Sequence, residues 1–326
     1  MDIDKIQDLL NWWNDNYTLI ADYDLTEKKY LGDSQNKICR FCGRKEPEVH
    51  FRKIAHAIPE SLENINLFTN YECDECNHKF GNTIEDHLNK YLFPNRIASW
   101  KKKKKGTITY KHPIFEENRI DVTNGHWEVK TDGKIELVQQ IDEHTLQINL
   151  TRQTYIPVNV YKVLVKMAIS IVPESEISNF DNTIKWLQYD EKSIEDYFGK
   201  FVIMRFFPGL ERFPYIKASL FKRKYDSLIT PAYQFFISFS NYYFQIVVPC
   251  FEKDKQLDGK RFSFRAIPTP LDFSQSIKGS GLLDFSSHEP IKNEEAPIQM
   301  HFEFSEMSVG EIEWQIILFG RHIYTS

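Results

Sequence analysis

Four of the five cysteines fall into two pairs of identical spacing, Cys39-Arg40-Phe41-Cys42 and Cys73-Asp74-Glu75-Cys76. Two residues between thiolates let a tight turn aim both sulfurs at one ion, and two such turns complete the tetrahedral shell that zinc prefers. A closed four-sulfur shell has no open coordination position, so this zinc is expected to be structural and the reaction chemistry to lie beside it. Cys250, alone after Pro249, has no partner at metal-ligand spacing and reads as a small buried hydrophobe.

Between the pairs lie side chains able to move protons and bind phosphate. The first stretch is Val49-His50-Phe51-Arg52-Lys53-Ile54-Ala55-His56-Ala57-Ile58-Pro59, followed by Asn66-Leu67-Phe68-Thr69-Asn70-Tyr71-Glu72; the second cysteine pair leads directly into Asn77-His78. A cysteine knuckle, a strand ending in His-x-x-Pro, an intervening Asn, a second knuckle and an Asn opening a helix together resemble the HNH endonucleases, in their zinc-stapled ββα-metal branch. The likeness spans about Cys39 to Leu92.

Several roles are implied by that resemblance. His56 takes the place of the general base, and imidazole is suited to that role because it titrates near neutrality and can accept the proton of a water attacking phosphorus. Asn77 takes the place of an oxygen ligand to a catalytic cation, magnesium or manganese. Such a cation would bind the scissile phosphate and stabilise the departing 3′ oxygen, leaving a 5′ phosphate on the product. The family's middle Asn, which holds the loop carrying the histidine, is assigned to Asn70, with Asn66 as its rival. One position departs from the pattern. The residue before the base is commonly Asp or another metal ligand in this family, and here it is Ala55, which coordinates nothing. Glu85, Asp86 and His78 stand either as substitute ligands or as a solvated helix face. His50 reads as an ordinary strand residue.

Positioning these groups requires a strand for His56 and a helix beginning near Asn77, both clamped by the zinc knuckles. The predicted architecture is α+β. Residues 1–38 form an N-terminal helical arm, with a helix over 2–17 followed by a polar, turn-rich stretch. Residues 39–111 form the ββα nuclease module, and residues 112–326 a larger mixed domain rich in antiparallel strands. In that larger part, residues 127–130 and 135–138 suggest a hairpin around Thr131-Asp132-Gly133. Val160, Leu164, Met167 and Ile171 recur at helix spacing up to Pro173, and a second helix follows from Glu174 to about Leu187. Further strands are predicted at 146–150, 201–206, 261–266, 298–304 and 314–318, with a hairpin over 235–248 turning near Ser240-Asn241. His126, His144, His288 and His322 sit at no catalytic or metal spacing and read as structural.

With 326 residues, 41 Lys and Arg and 46 Asp and Glu, the formal charge is −5. That figure weighs against a nucleic-acid partner only until it is divided. Cys39 to Lys111 carries 14 basic against 9 acidic residues, and the rest of the chain 27 against 37. Lys101, Lys102, Lys103, Lys104 and Lys105 follow the predicted catalytic helix and are placed to grip a phosphate backbone. No motif that reads base edges is visible, so DNA contact is expected to have little intrinsic sequence specificity.

An unregulated nuclease of that kind would be toxic. Residues 112–326 are therefore the expected site of control, by an activating ligand or a protein partner, for instance one of the short-Argonaute type. The stretch Tyr161 to Ala168 resembles a segment that follows this module in bacterial HNH proteins, which implies an antiviral defence or restriction role. An N-terminus of Met1-Asp2-Ile3-Asp4-Lys5 and the lack of any run near 18 apolar residues point to a cytoplasmic protein with no membrane span. From a different class, the competing expectation is a zinc-stapled nucleic-acid or protein binding module whose catalysis has lapsed, and Ala55 is its support.

Overall fold

A computed structural model describes residues 3–98, 108–123, 126–189, 200–206, 213–269, 280–309 and 313–324. The amphipathic start of the chain forms α1 (Ile3–Asn16), which buries Ile6 and Trp13; the Trp13 indole donates to the Ala266 carbonyl at 3.2 Å. The polar stretch after it is not simply turn-rich. Tyr17 and Ala21 turn inward in β1 (Tyr17–Asp24), and β2 (Lys29–Leu31) follows. The knuckle region supplies β3 (Ala55–His56), β4 (Leu67–Thr69), α2 (Asp74–Phe80) and α3 (Asp86–Ala98). A π-helical turn, Gly81–Glu85, joins the two helices. β4 lies between β2 and β3, parallel to the first and antiparallel to the second. Tyr71 packs so close to Gly32 that a β-carbon there would sit 2.3 Å from its ring, and Gly32 also holds φ at +84°.

Beyond the knuckles come β5 (Ile108–Lys111), β6 (Arg119–Thr123), β7 (His126–Lys130), β8 (Val138–Asp142) and β9 (Thr145–Thr151), then α4 (Pro157–Ile171). A 3-10 stretch, Glu174–Phe180, leads into α5 (Asp181–Tyr189), so the helix expected from Glu174 begins as tighter turns. The chain continues through β10 (Phe201–Phe206), β11 (Lys217–Arg223), β12 (Tyr233–Phe239), β13 (Tyr242–Val247), α6 (Phe251–Asp254), β14 (Ser280–Asp284), β15 (Glu295–Val309) and β16 (Glu313–Tyr324). Two antiparallel sheets result, ordered β1-β11-β12-β13-β10-β14 and β5-β6-β7-β16-β15-β9-β8.

The β12–β13 hairpin turns at Ser240-Asn241 as its sequence predicts, with Ser240 at φ 52°. Two other predictions fail for local reasons. Residues 127–130 pair with β6 and β16 rather than with 135–138. The Asn118 side chain exchanges hydrogen bonds with Asp132 (2.9 and 3.0 Å), drawing the turn toward the start of β6. Residues 261–266 form no strand; Gln245 takes up the Arg265 carbonyl and the Ile267 amide through its side chain (both 2.8 Å) instead of a ladder.

α4 is apolar on all sides, and a helix of that kind must be surrounded. All its residues except Asn159 are buried, including Lys162 and Lys166. One continuous hydrophobic core runs from Cys39, Phe41, Phe80 and Leu88 across α4 to Phe235 and Tyr242. A second lies under the seven-stranded sheet, around Tyr110, Ile120, Ile148 and Ile298, with Phe93 of α3 packed against it. The architecture is α+β, a small four-cysteine module with its helices set against a larger antiparallel region. No helix among the described residues is long and apolar enough to cross a membrane.

Candidate active site

The four knuckle sulfurs lie within 4.8 Å of one another, with Cys42 and Cys73 Sγ 3.8 Å apart. A tetrahedral zinc with bonds of about 2.3 Å sets its sulfurs about 3.8 Å apart, so the cage has the dimensions of a structural zinc site. Each knuckle is closed by its own backbone: the Gly43 amide donates to the Cys39 carbonyl and the Asn77 amide to the Cys73 carbonyl. From α5, the Gln188 amide donates to Cys76 Sγ at 3.1 Å, the kind of outer contact that orients a metal ligand. Without the metal, burial holds the Cys73 thiol above its ordinary value, while the hydrogen bond with Cys76 holds Cys39 below its own.

The second knuckle also fixes what lies next to it. The Asp74 amide donates to the His50 carbonyl, and the Asp74 carboxylate accepts from the Arg52 and Lys53 amides at 3.2 and 2.9 Å. The start of α2 is thereby tied to the segment leading into His56. On β3 the His56 ring lies 4.9 Å from that of Phe68, which stacks on Tyr30 at 5.1 Å. Ala55, one residue earlier, is turned away and only 1 % exposed.

His56 and Asn77 line one cleft of about 250 Å³ with Glu85, Asp86 and Asn89, bounded by the loop Pro59 to Ser61 and by Gly81. Asn77, Gly81, Glu85 and Asn89 recur every fourth residue along the helix. A straight α-helix of 3.6 residues per turn would rotate such a series by about 40° at each step. The wider π turn at Gly81–Glu85 takes back part of that rotation and keeps the series on the cleft. The oxygens of Asn77, Glu85 and Asp86 are hard donors, a set that suits magnesium or manganese. His78 does not line this cleft; its ring meets the Asn82 amide at 2.9 Å. His50 serves Asp74 through its backbone.

The loop after the histidine is held by a residue that the sequence did not single out. Buried Asn64 donates to the carbonyls of Ile58 (2.6 Å) and Leu67 (2.8 Å) and accepts from the amides of Leu67 (2.8 Å) and Asn66 (3.0 Å). Asn70 instead donates to Gly32 and Asn66 to Leu25, so neither expected residue clamps this loop. An Asn between Glu63 and Ile65 looks in sequence like any turn residue; only its burial distinguishes it.

α4 meets the back of the cleft. Lys166 Nζ lies 3.1 Å from Glu72 Oε2, 3.3 Å from Glu85 Oε1 and 3.4 Å from the His56 carbonyl. Burial alone would lower the Lys166 pKa, but the two carboxylates outweigh it and hold it above its ordinary value. Burial lifts the Glu72 carboxyl to about 7 despite Lys166. At the other end of α4, Arg40 of the first knuckle donates to the Ile169 and Val172 carbonyls (both 2.8 Å) and pairs with Glu174 at 2.9 Å. A guanidinium there satisfies helix-end carbonyls and suits the negative end of the helix dipole. Lys101 to Lys105 lie outside the described residues.

Residues 39–93 match the family model described as HNH endonuclease. Neither a curated protein nor a solved structure matches the chain. The four cysteines, His56, Asn64, Asn77 and Glu85 all fall inside the matched span; Lys166 does not.

Proposed function

Because residues 39–93 are an HNH endonuclease domain, we propose that the protein hydrolyses DNA phosphodiester bonds with the help of a divalent cation and with little intrinsic sequence specificity. The observation that carries this reading is the single cleft shared by His56 and Asn77, far apart in sequence, with the carboxylates of Glu85 and Asp86 beside them. His56 accepts the proton of the attacking water, its ring steadied against Phe68 and the loop beyond it held by Asn64. Asn77, with Glu85 and Asp86 as neighbours, would hold magnesium or manganese. Such a cation supplies charge stabilisation to the scissile phosphate and to the 3′ oxygen that leaves. The position of Ala55 in the protein's interior supports taking the remaining oxygen ligand from the helix wall rather than from the residue before the base.

Lys101 to Lys105, which follow α3 in sequence, are proposed to contact the phosphate backbone. Each lost contact should flatten the dependence of log binding constant on log salt concentration by about 0.9 on duplex DNA. Control is assigned to residues 112–326 or to an activating partner, in a bacterial defence or restriction setting, because free nonspecific cleavage would damage the host.

The competing reading, a zinc-stapled binding module without catalysis, is favoured by Ala55 and by the pairing of Glu85 with Lys166. Manganese titration and plasmid cleavage separate the two. The wild type should bind manganese and cut, with 5′-phosphate ends on the product, and Asn77→Ala should need a higher manganese concentration for both. DNA binding without cleavage at any magnesium or manganese concentration, with a stimulating partner or without, would instead establish the binding module.

A further inference from the structure

Lys166 is an ammonium only 1 % exposed, on a helix that the HNH match does not reach. An ammonium in a protein interior is tolerated only when it is paired and hydrogen-bonded. Its Nζ donates to the His56 carbonyl at 3.4 Å and lies at ion-pair distance from two carboxylates, Glu72 at 3.1 Å and Glu85 at 3.3 Å, although neither Glu72 oxygen gains an aligned hydrogen bond. These three partners all belong to the endonuclease domain. One precedes the second zinc knuckle, one lines the cleft, and one is the backbone of the residue that acts as base. The packing of α4 does not call for this charge, since its neighbours Val163, Val165 and Met167 are fully buried apolar residues, and apolar replacement of buried ion pairs is often neutral or stabilising.

We infer that Lys166 is a positioning residue of the nuclease site. It bridges the strand that carries His56 and the helical turn that carries Glu85, the two walls that have to meet one phosphate. The catalytic apparatus therefore extends beyond the HNH domain into α4. This rests on the endonuclease reading of the cleft, and the test is built to separate the two.

Lys166→Met alone leaves Glu72 buried and unpaired, so it should lose zinc and melt early. The double variant Glu72→Met/Lys166→Met removes both buried charges and should recover zinc content and Tm. It should not recover function. With a misplaced cleft, its kcat for plasmid nicking should stay about 10- to 100-fold below wild type, with KM for DNA within about 2-fold. The His56 ring signals in a 1H–15N spectrum should shift as well. A folded double variant with wild-type kcat and unshifted His56 signals would overturn the inference and make Lys166 a structural residue. If the wild type cuts no DNA, the endonuclease reading falls by itself, and the His56 signals alone decide the place of Lys166: shifted signals support it and unshifted signals overturn it.

Discussion

At the scale of single residues, the cleft is shaped as much by groups behind it as by His56 and Asn77, which line it. Asn64 uses both donors and its carbonyl oxygen to fasten Ile58, beyond the base, to Leu67 on β4. Asn64→Ala would leave those buried groups unsatisfied and should cost at least about 2 kcal/mol of stability, read by chemical denaturation, with a parallel loss of nicking. Asn70→Ala, which breaks one bond to Gly32 at the surface, should cost well under 1 kcal/mol. The four-cysteine cage was legible in sequence because metal ligation is tied to fixed spacing, whereas His56 and Asn77 were singled out by a family resemblance, and the structure lines one cleft with both. Asn64 and Lys166 were not legible, because an asparagine in a polar loop and a lysine in an apolar helix announce nothing until burial and partners are known.

At the scale of elements, the cysteine cage holds the start of α2, and α4 holds the π turn that follows it through Lys166 and Glu85. Chelation should therefore unfold the region around α2 rather than merely slow a reaction, seen as loss of protection from hydrogen exchange at residues 73–92. His87 of α3 adds a pH-sensitive contact: its Nδ1 accepts from the Ile156 amide at the start of α4 (3.1 Å). Burial, with Lys90 adding to it, holds the His87 pKa below its ordinary 6.5. The unfolded chain therefore takes up the proton more readily than the folded one, so this contribution is complete above pH 6.5 and is lost as pH falls through the lowered value. Thermal denaturation of wild type and His87→Gln from pH 5 to 8 should differ by that decline, read as the difference between the two proteins because the raised Glu72 carboxyl acts in the opposite direction in both. Element types were largely readable from period and turn residues. Pairing was not: β7 looks local in sequence, and side-chain bonds from Asn118 to Asp132 decide its neighbours.

At the scale of the whole molecule, the zinc module and the antiparallel region share one core and are joined by polar contacts as well. Arg40 holds the end of α4, Lys166 the middle, and Gln188 of α5 a zinc-cage sulfur. A fragment of residues 39–98 should consequently fail to fold stably even with zinc, giving poorly dispersed amide signals where the full chain gives sharp ones. Composition could divide charge between the two regions but could not show this joint, since interdigitated apolar surfaces leave no mark in a count. Hydrolysis of DNA by this cleft, with His56 as base, is decided by the nicking rate of supercoiled plasmid with magnesium or manganese, comparing wild type and His56→Ala at matched zinc content. Wild type should nick, and His56→Ala should be at least about 100-fold slower; equal rates in the two proteins, or no nicking by wild type with either cation, would contradict it.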